Sequence, residues 1–150
     1  MEAQQKQTIQ ILLADDDPDD YFLFSEALQQ SALPLEISWA EDGNKLLSIL
    51  ESGNIPDVIF LDINMPYKNG FDCLNEIRSN SKFSKMPIVI YSTTNYKGNI
   101  DTCYKGGANL YVVKPNSFDE ILKMVKKLCT KEWTSTASTP TPEYFVYNAL

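Results

Sequence analysis

The sequence predicts an open α/β fold, a parallel five-stranded sheet with helices on both faces. Three observations carry that prediction. Short runs rich in Ile and Val recur at strand length, amphipathic stretches of helical period lie between them, and helix-start signals fall where the period changes. Strands that alternate with helices pair in parallel through helical crossovers. The 150 residues suit one such domain with a proper core.

Ile9–Ala14 is the first strand, and Asp17 before Pro18 opens a helix carrying Phe24, Ala27 and Leu28. Leu35–Ala40 is the second strand, followed by Leu46, Leu47 and Leu50 at helical spacing. Val58–Leu61 is the third, with Phe71, Leu74 and Ile77 on the helix after it. Ile88–Tyr91 is the fourth. The helix that follows, Lys97–Gly106, is the weakest, because only Ile100, Cys103 and Tyr104 form its apolar stripe and glycines flank it. Leu110–Val113 is the fifth strand. Ser117-Phe118-Asp119-Glu120 then reads as a capping box for a helix bearing Ile121, Leu122, Val125 and Cys129. The expected organisation is a domain over 8–131 and a linker with an apolar tail over 132–150. Thr134 to Pro142 is Ser/Thr/Pro-rich, and Tyr144-Phe145-Val146-Tyr147 is too apolar to dangle in water. The linker reaches roughly 30 Å if extended, so the tail can return to its own domain or cross to a second copy as a tail-mediated homodimer.

Composition removes several classes of function. Thirteen Lys+Arg against 20 Asp+Glu leave a net charge of −7, which argues against a phosphate-neutralising surface for nucleic acid. With no histidine at all, Ser-His-Asp and Cys-His catalysis, imidazole zinc sites and a phosphohistidine on this chain are excluded. Cys73, Cys103 and Cys129 form no CxxC and suit a reducing compartment. No apolar run reaches membrane-spanning length, and Met1–Thr8 is too polar for a signal peptide. A cytoplasmic protein without membrane insertion is the expectation.

The chemistry-bearing residues gather at strand ends. Asp15-Asp16-Asp17-Pro18-Asp19-Asp20 follows the first strand; Asp17, Asp19 and Asp20 have a plain reading as cap and helix-dipole partners, whereas Asp15 and Asp16 do not. A calcium-loop reading fails at Asp20, where the sharp turn needs Gly. Asp62 ends the third strand, Ser92 the fourth and Lys114 the fifth. Taken singly these are a turn residue, a cap and a surface cation. Taken together they lie outside the carboxyl ends of the strands, where open α/β sheets bind ligands at the point of strand-order reversal. With order 2-1-3-4-5 that point brings Asp15 and Asp16 beside Asp62. Crowded carboxylates need a cation or shifted pKa values. A donor set of oxygens alone favours Mg²⁺ over zinc, and Lys114 and Ser92 suit a phosphoryl group. Neither Trp39 nor Trp133 has an evident place near this cluster.

These segments resemble the response-regulator receiver domains of two-component signalling, the chemotaxis regulators among them, from about Thr8 to Lys131. The matching stretches are Ile11-Leu12-Leu13-Ala14-Asp15-Asp16-Asp17, Phe60-Leu61-Asp62-Ile63-Asn64-Met65-Pro66 with Gly70, Pro87-Ile88-Val89-Ile90-Tyr91-Ser92 and Tyr111-Val112-Val113-Lys114-Pro115. The resemblance implies a flavodoxin-like (βα)5 fold of strand order 2-1-3-4-5, that order being the family's. It implies that Asp62 is the phospho-acceptor. Asp16 then binds Mg²⁺ directly, Asp15 mainly through water and Asn64 through its backbone carbonyl, with Asp62 completing the set. Lys114 contacts the phosphoryl group, Ser92 is the switch hydroxyl, and Tyr111 is the aromatic residue that turns inward with it. Lys114-Pro115 matches a bond that is cis in the family. Thr93, Asn116 and Ser92 differ from the residues most frequent at their positions.

The implied function is a stand-alone response regulator. It takes a phosphoryl group from a sensor histidine kinase or a histidine phosphotransfer protein and signals to an output protein through phosphorylation-dependent contacts. It is a signalling protein, not an enzyme beyond its own phosphoryl transfer and dephosphorylation. Two other classes compete. An interaction module that takes no phosphate is disfavoured by intact Asp16, Asp62 and Lys114. An aspartyl-phosphate phosphatase of the haloacid-dehalogenase type needs Asp-x-Asp at the first strand, whereas Asp62-Ile63-Asn64 lies on the third. A flavin protein of this topology needs a phosphate loop after the first strand, where the aspartates repel it.

Overall fold

Residues 8–138 and 140–147 are described by the structure, a computed structural model. The amino-terminal residues 1–7 read for a leader, and the tail residues 148–150, lie outside the described range. The five apolar runs form β1 (Ile9–Ala14), β2 (Leu35–Ala40), β3 (Val58–Leu61), β4 (Ile88–Ser92) and β5 (Leu110–Val113). They pair in parallel in the order β2-β1-β3-β4-β5. Helices α1 (Pro18–Gln30), α2 (Gly43–Glu51), α3 (Gly70–Ser79), α4 (Lys97–Lys105) and α5 (Phe118–Leu128) connect and follow them.

Alternation along the strands divides the core into two layers. Ile11 and Leu13 of β1 join Phe24, Phe60, Val112 and Met124 under α1 and α5. Leu12 and Ala14 join Leu46, Ile59, Leu74 and Ile90 under α2, α3 and α4. Central strands β3 and β4 are buried on both faces, which is why they read as unbroken apolar runs. The edge strand β2 alternates between half-buried and exposed positions instead.

Caps fix where each helix begins. Asp17 accepts from Asp19 N with Pro18 in the first turn, Asp42 accepts from Lys45 N, Asn69 from Asp72 N, and Ser117 from Glu120 N. Helix α4 has no side-chain cap and buries only Cys103, matching its weak apolar stripe. A sixth helix, α6 (Lys131–Thr136), capped by Thr130, occupies the start of the Ser/Thr/Pro stretch. Beyond it the chain turns back through a short 3-10 segment, Pro142–Tyr144, to the free edge of β5. Cys73, Cys103 and Cys129 are free and buried, and burial pushes the thiols of Cys73 and Cys103 up to about 11 and about 12, and that of Cys129 up as well. Among the described residues no helix is long and apolar enough to cross a membrane.

Candidate functional site

Strand register assembles the site. Ala14 of β1 pairs with Leu61 of β3, and Asp62 N donates to Ala14 O at 2.9 Å, so the next residues, Asp15 and Asp62, emerge side by side. Both follow a residue packed under α2–α4, so the alternation turns their side chains toward the α1–α5 side. Lys114, two residues past Val112 of β5, has the same parity. Ser92 and Tyr111 have the opposite parity, on the α4 side. One edge of the sheet thus separates an ionic cluster from a hydroxyl–aromatic pair.

The ionic cluster centres on the Lys114 ammonium, which lies 2.8 Å from Asp15 Oδ2, 2.7 Å from Asp20 Oδ2 and 3.0 Å from Asp62 Oδ2. It also stands 5.7 Å from the centre of the Tyr91 ring. Asp15 is fully buried and Asp62 is 5% exposed, while Asp16 and Asn64 face solvent. Asp15 Oδ1 accepts from Asp17 N at 2.9 Å, and Asp62 Oδ1 from Asn64 N at 3.3 Å. Burial pushes the Asp15 carboxyl up to about 6 despite the Lys114 contact, and raises that of Asp62 for the same reason. Burial alone would lower the Lys114 ammonium, but contacts with Asp15 and Asp20 and the charge of Asp62 hold it above its ordinary range.

The residues fit a divalent cation. Asp15, Asp16 and Asp62 each offer a carboxylate oxygen within 4.8 Å of the others. Asp15 Oδ2 is buried with no hydrogen-bond donor; the Lys114 ammonium touches it at 2.8 Å without hydrogen-bond geometry. Three carboxylates around one ammonium, with Asp16 beside two of them, leave an excess of negative charge that a hard, oxygen-bound cation offsets.

On the other side, Ser92 is fully buried and its Oγ accepts from Thr94 N at 3.4 Å. Tyr111 is fully buried, with its hydroxyl donating to Thr94 O at 2.7 Å; burial pushes that phenol up to about 12. The ring is already inward. Thr93 is exposed beside this pair. Among the described residues there is no cis peptide bond, so Lys114–Pro115 is trans and that expectation is corrected. Lys114 N donates to Ser92 O at 2.8 Å, carrying the β4–β5 ladder one residue onward, and this aims the lysine inward.

Two contributors lie outside the sequence reading. Asp20, taken there as a helix-dipole partner, turns from the first turn of α1 onto Lys114; its place among five aspartates is the only signal. Trp39 on β2 donates its indole N–H to the main-chain oxygen of Asp15 at 2.8 Å and stacks on Tyr21 at 4.5 Å. Gly70 packs so closely on Asp62 that a Cβ there would lie 2.3 Å from the Asp62 carbonyl oxygen.

A doubly wound sheet with an acidic cluster and a lysine at its carboxyl edge belongs to the class of open α/β domains that bind a charged ligand where strand order reverses. Residues 11–126 match the response regulator receiver domain, and the chain belongs to that family. The chain is 29% identical over 136 residues to the response regulator Rcp1 of Synechocystis, covering 87% of this chain and 92% of that one. Among solved structures it superposes on the phosphorylated cyanobacterial phytochrome response regulator RcpA with a TM-score of 0.77, at 31% identity over 90% of this chain and all of the other. The Mn²⁺-bound form of Rcp1 matches with a TM-score of 0.75, at 28% identity over 89% of this chain and 99% of that one. The protein is therefore a signalling domain of the two-component type, and the flavodoxin-like order expected for it is the order observed.

Proposed function

We propose that Asp62 accepts a phosphoryl group from a phosphohistidine on a sensor histidine kinase or a histidine phosphotransfer protein. The observation that supports this most is the Lys114 ammonium touching both Asp15 and Asp62 at the carboxyl end of the sheet. An Asp62 oxygen forms the new P–O bond as the P–N bond breaks, and the departing imidazole takes a proton from solvent. The transition state is loose, so the chain contributes placement and charge. Lys114 has two side-chain partners besides Asp62, and it can follow the incoming phosphoryl oxygens without leaving the cluster. Mg²⁺, held by Asp15, Asp16, Asp62 and the Asn64 carbonyl, supplies neutralisation of the phosphoryl charge when bound. Ser92 then moves toward the phosphoaspartate and Tyr111 responds, biasing a two-state equilibrium that an output protein reads. The reading takes 8–131 as the receiver and 132–150 as linker and tail. It places the protein in the cytoplasm, signalling through protein contacts and catalysing only its own phosphoryl transfer and dephosphorylation.

The test is labelling from acetyl phosphate or phosphoramidate with Mg²⁺. Asp62→Asn, whose amide is a poor nucleophile, is expected to take no label while keeping the wild-type circular dichroism. Full labelling of Asp62→Asn would place the acceptor elsewhere.

A further inference from the structure

The tail makes an interaction that phosphoryl acceptance does not require. Tyr111 N donates to Phe145 O at 2.9 Å and Tyr147 N donates to Tyr111 O at 2.8 Å, a parallel bridge that adds a short strand to the free edge of β5. Phe145 is 1% exposed, packed edge-on to Tyr104 at 5.1 Å and tilted against Tyr111 at 6.3 Å. The Tyr104 hydroxyl donates to Pro140 O at 2.9 Å, and Tyr147 lies 5.4 Å from the Lys127 ammonium. Both free main-chain groups of Tyr111 and one flank of its ring are thus taken by the tail. The hydroxyl at the far end of the same side chain is bonded to Thr94, whose amide in turn points at Ser92 Oγ. A continuous path runs from Ser92 through Thr94 and Tyr111 to Phe145.

We propose that residues 140–147 are an intramolecular strand ligand of β5 that holds Tyr111 in its buried pose, so that tail docking and phosphoryl uptake at Asp62 strengthen each other. This rests on the reading of Asp62 as acceptor and of Ser92 and Tyr111 as its switch. Phe145 fills the space beside the Tyr111 ring, and an outward swing of that ring displaces the tail. Coupling between two sites is reciprocal: whatever the seated tail adds to the phosphorylated pose, phosphorylation returns to the tail. A partner that adds a strand to β5, or inserts an aromatic side chain between Tyr104 and Tyr111, must first evict Phe145.

The experiment uses the full chain with Mg²⁺ and beryllofluoride, which mimics a phosphoryl group on a carboxylate, and reads amide exchange at Tyr111 and Tyr147. In the wild type the analogue is expected to slow exchange at both. Phe145→Ala is expected to speed exchange at both and to weaken beryllofluoride binding about fivefold or more. Phe145→Leu, which keeps an apolar plug, should fall between and controls for loss of fold. If the wild type binds the analogue while Phe145→Ala binds it equally well, the coupling is wrong and the acceptor reading stands. If the wild type takes up no analogue, the acceptor reading falls and the coupling with it. Protection that grows with protein concentration would seat the tail on a second copy and overturn the intramolecular placement.

Discussion

Removing divalent metal should make this protein more stable as the solution is acidified, the reverse of ordinary acid denaturation. Asp15 titrates near its ordinary 3.8 when unfolded and at about 6 when folded, because burial penalises its charge. Between those values the folded chain binds a proton that the unfolded chain does not, so stability is fully present below 3.8 and lost as pH rises through about 6. The whole shift corresponds to about 3 kcal/mol, of which about 1 kcal/mol is recovered between pH 7 and pH 5. Asp62 is shifted the same way and adds to it. The assay is urea unfolding in chelator followed by Trp39 fluorescence, since that indole is bonded to the Asp15 main chain. The midpoint is expected to rise by about 0.6 M from pH 7 to pH 5. Asp15→Asn should lose most of that rise, and millimolar Mg²⁺ should oppose it by favouring the ionised carboxylates. A flat or falling midpoint in chelator, or an undiminished rise in Asp15→Asn, would refute burial of Asp15 as the cause.

Two further substitutions test the scaffold. Gly70→Ala drives a Cβ to 2.3 Å from the Asp62 carbonyl oxygen and 2.8 Å from Ile63 Cα; it should cost about 2 kcal/mol and cut labelling from acetyl phosphate more than tenfold, and wild-type labelling would mean that the close packing does not position Asp62. Arg78 donates to Gly107 O at 2.8 Å, Phe83 O at 3.3 Å and Asn109 Oδ1 at 3.0 Å, tying α3 to the loops before β4 and β5. Arg78→Met should lower unfolding free energy by about 2–4 kcal/mol in urea while leaving labelling intact, and a change below 0.5 kcal/mol would show these hydrogen bonds to be neutral.

What was legible in the sequence depended on how local the signal is. Buried parallel strands need side chains for both faces, so β3 and β4 appear as Val58–Leu61 and Ile88–Tyr91 without further information. Caps at Asp17 and Ser117 are equally local. The ionic cluster was legible because its members end separate strands, and a sheet of known order brings those ends together. Asp20 was not, because its contact with Lys114 depends on how α1 is rotated on the sheet. Trp39 was hidden for a related reason, since only the pairing of Ala14 with Ala40 brings β2 alongside Asp15. Helix α6 starts from a single Thr130 cap with little apolar stripe. The Tyr111–Val146 bridge joins segments whose pairing no local pattern announces.

The three buried thiols have a practical consequence for spectroscopy. Alkylation proceeds through the thiolate, and burial holds Cys73, Cys103 and Cys129 protonated and out of reach. A cysteine introduced at Tyr144, whose side chain is 72% exposed on the tail, is then the one that a maleimide dye or spin label finds first. The native cysteines can stay where they pack, and the position of the tail can be followed in an otherwise unaltered core.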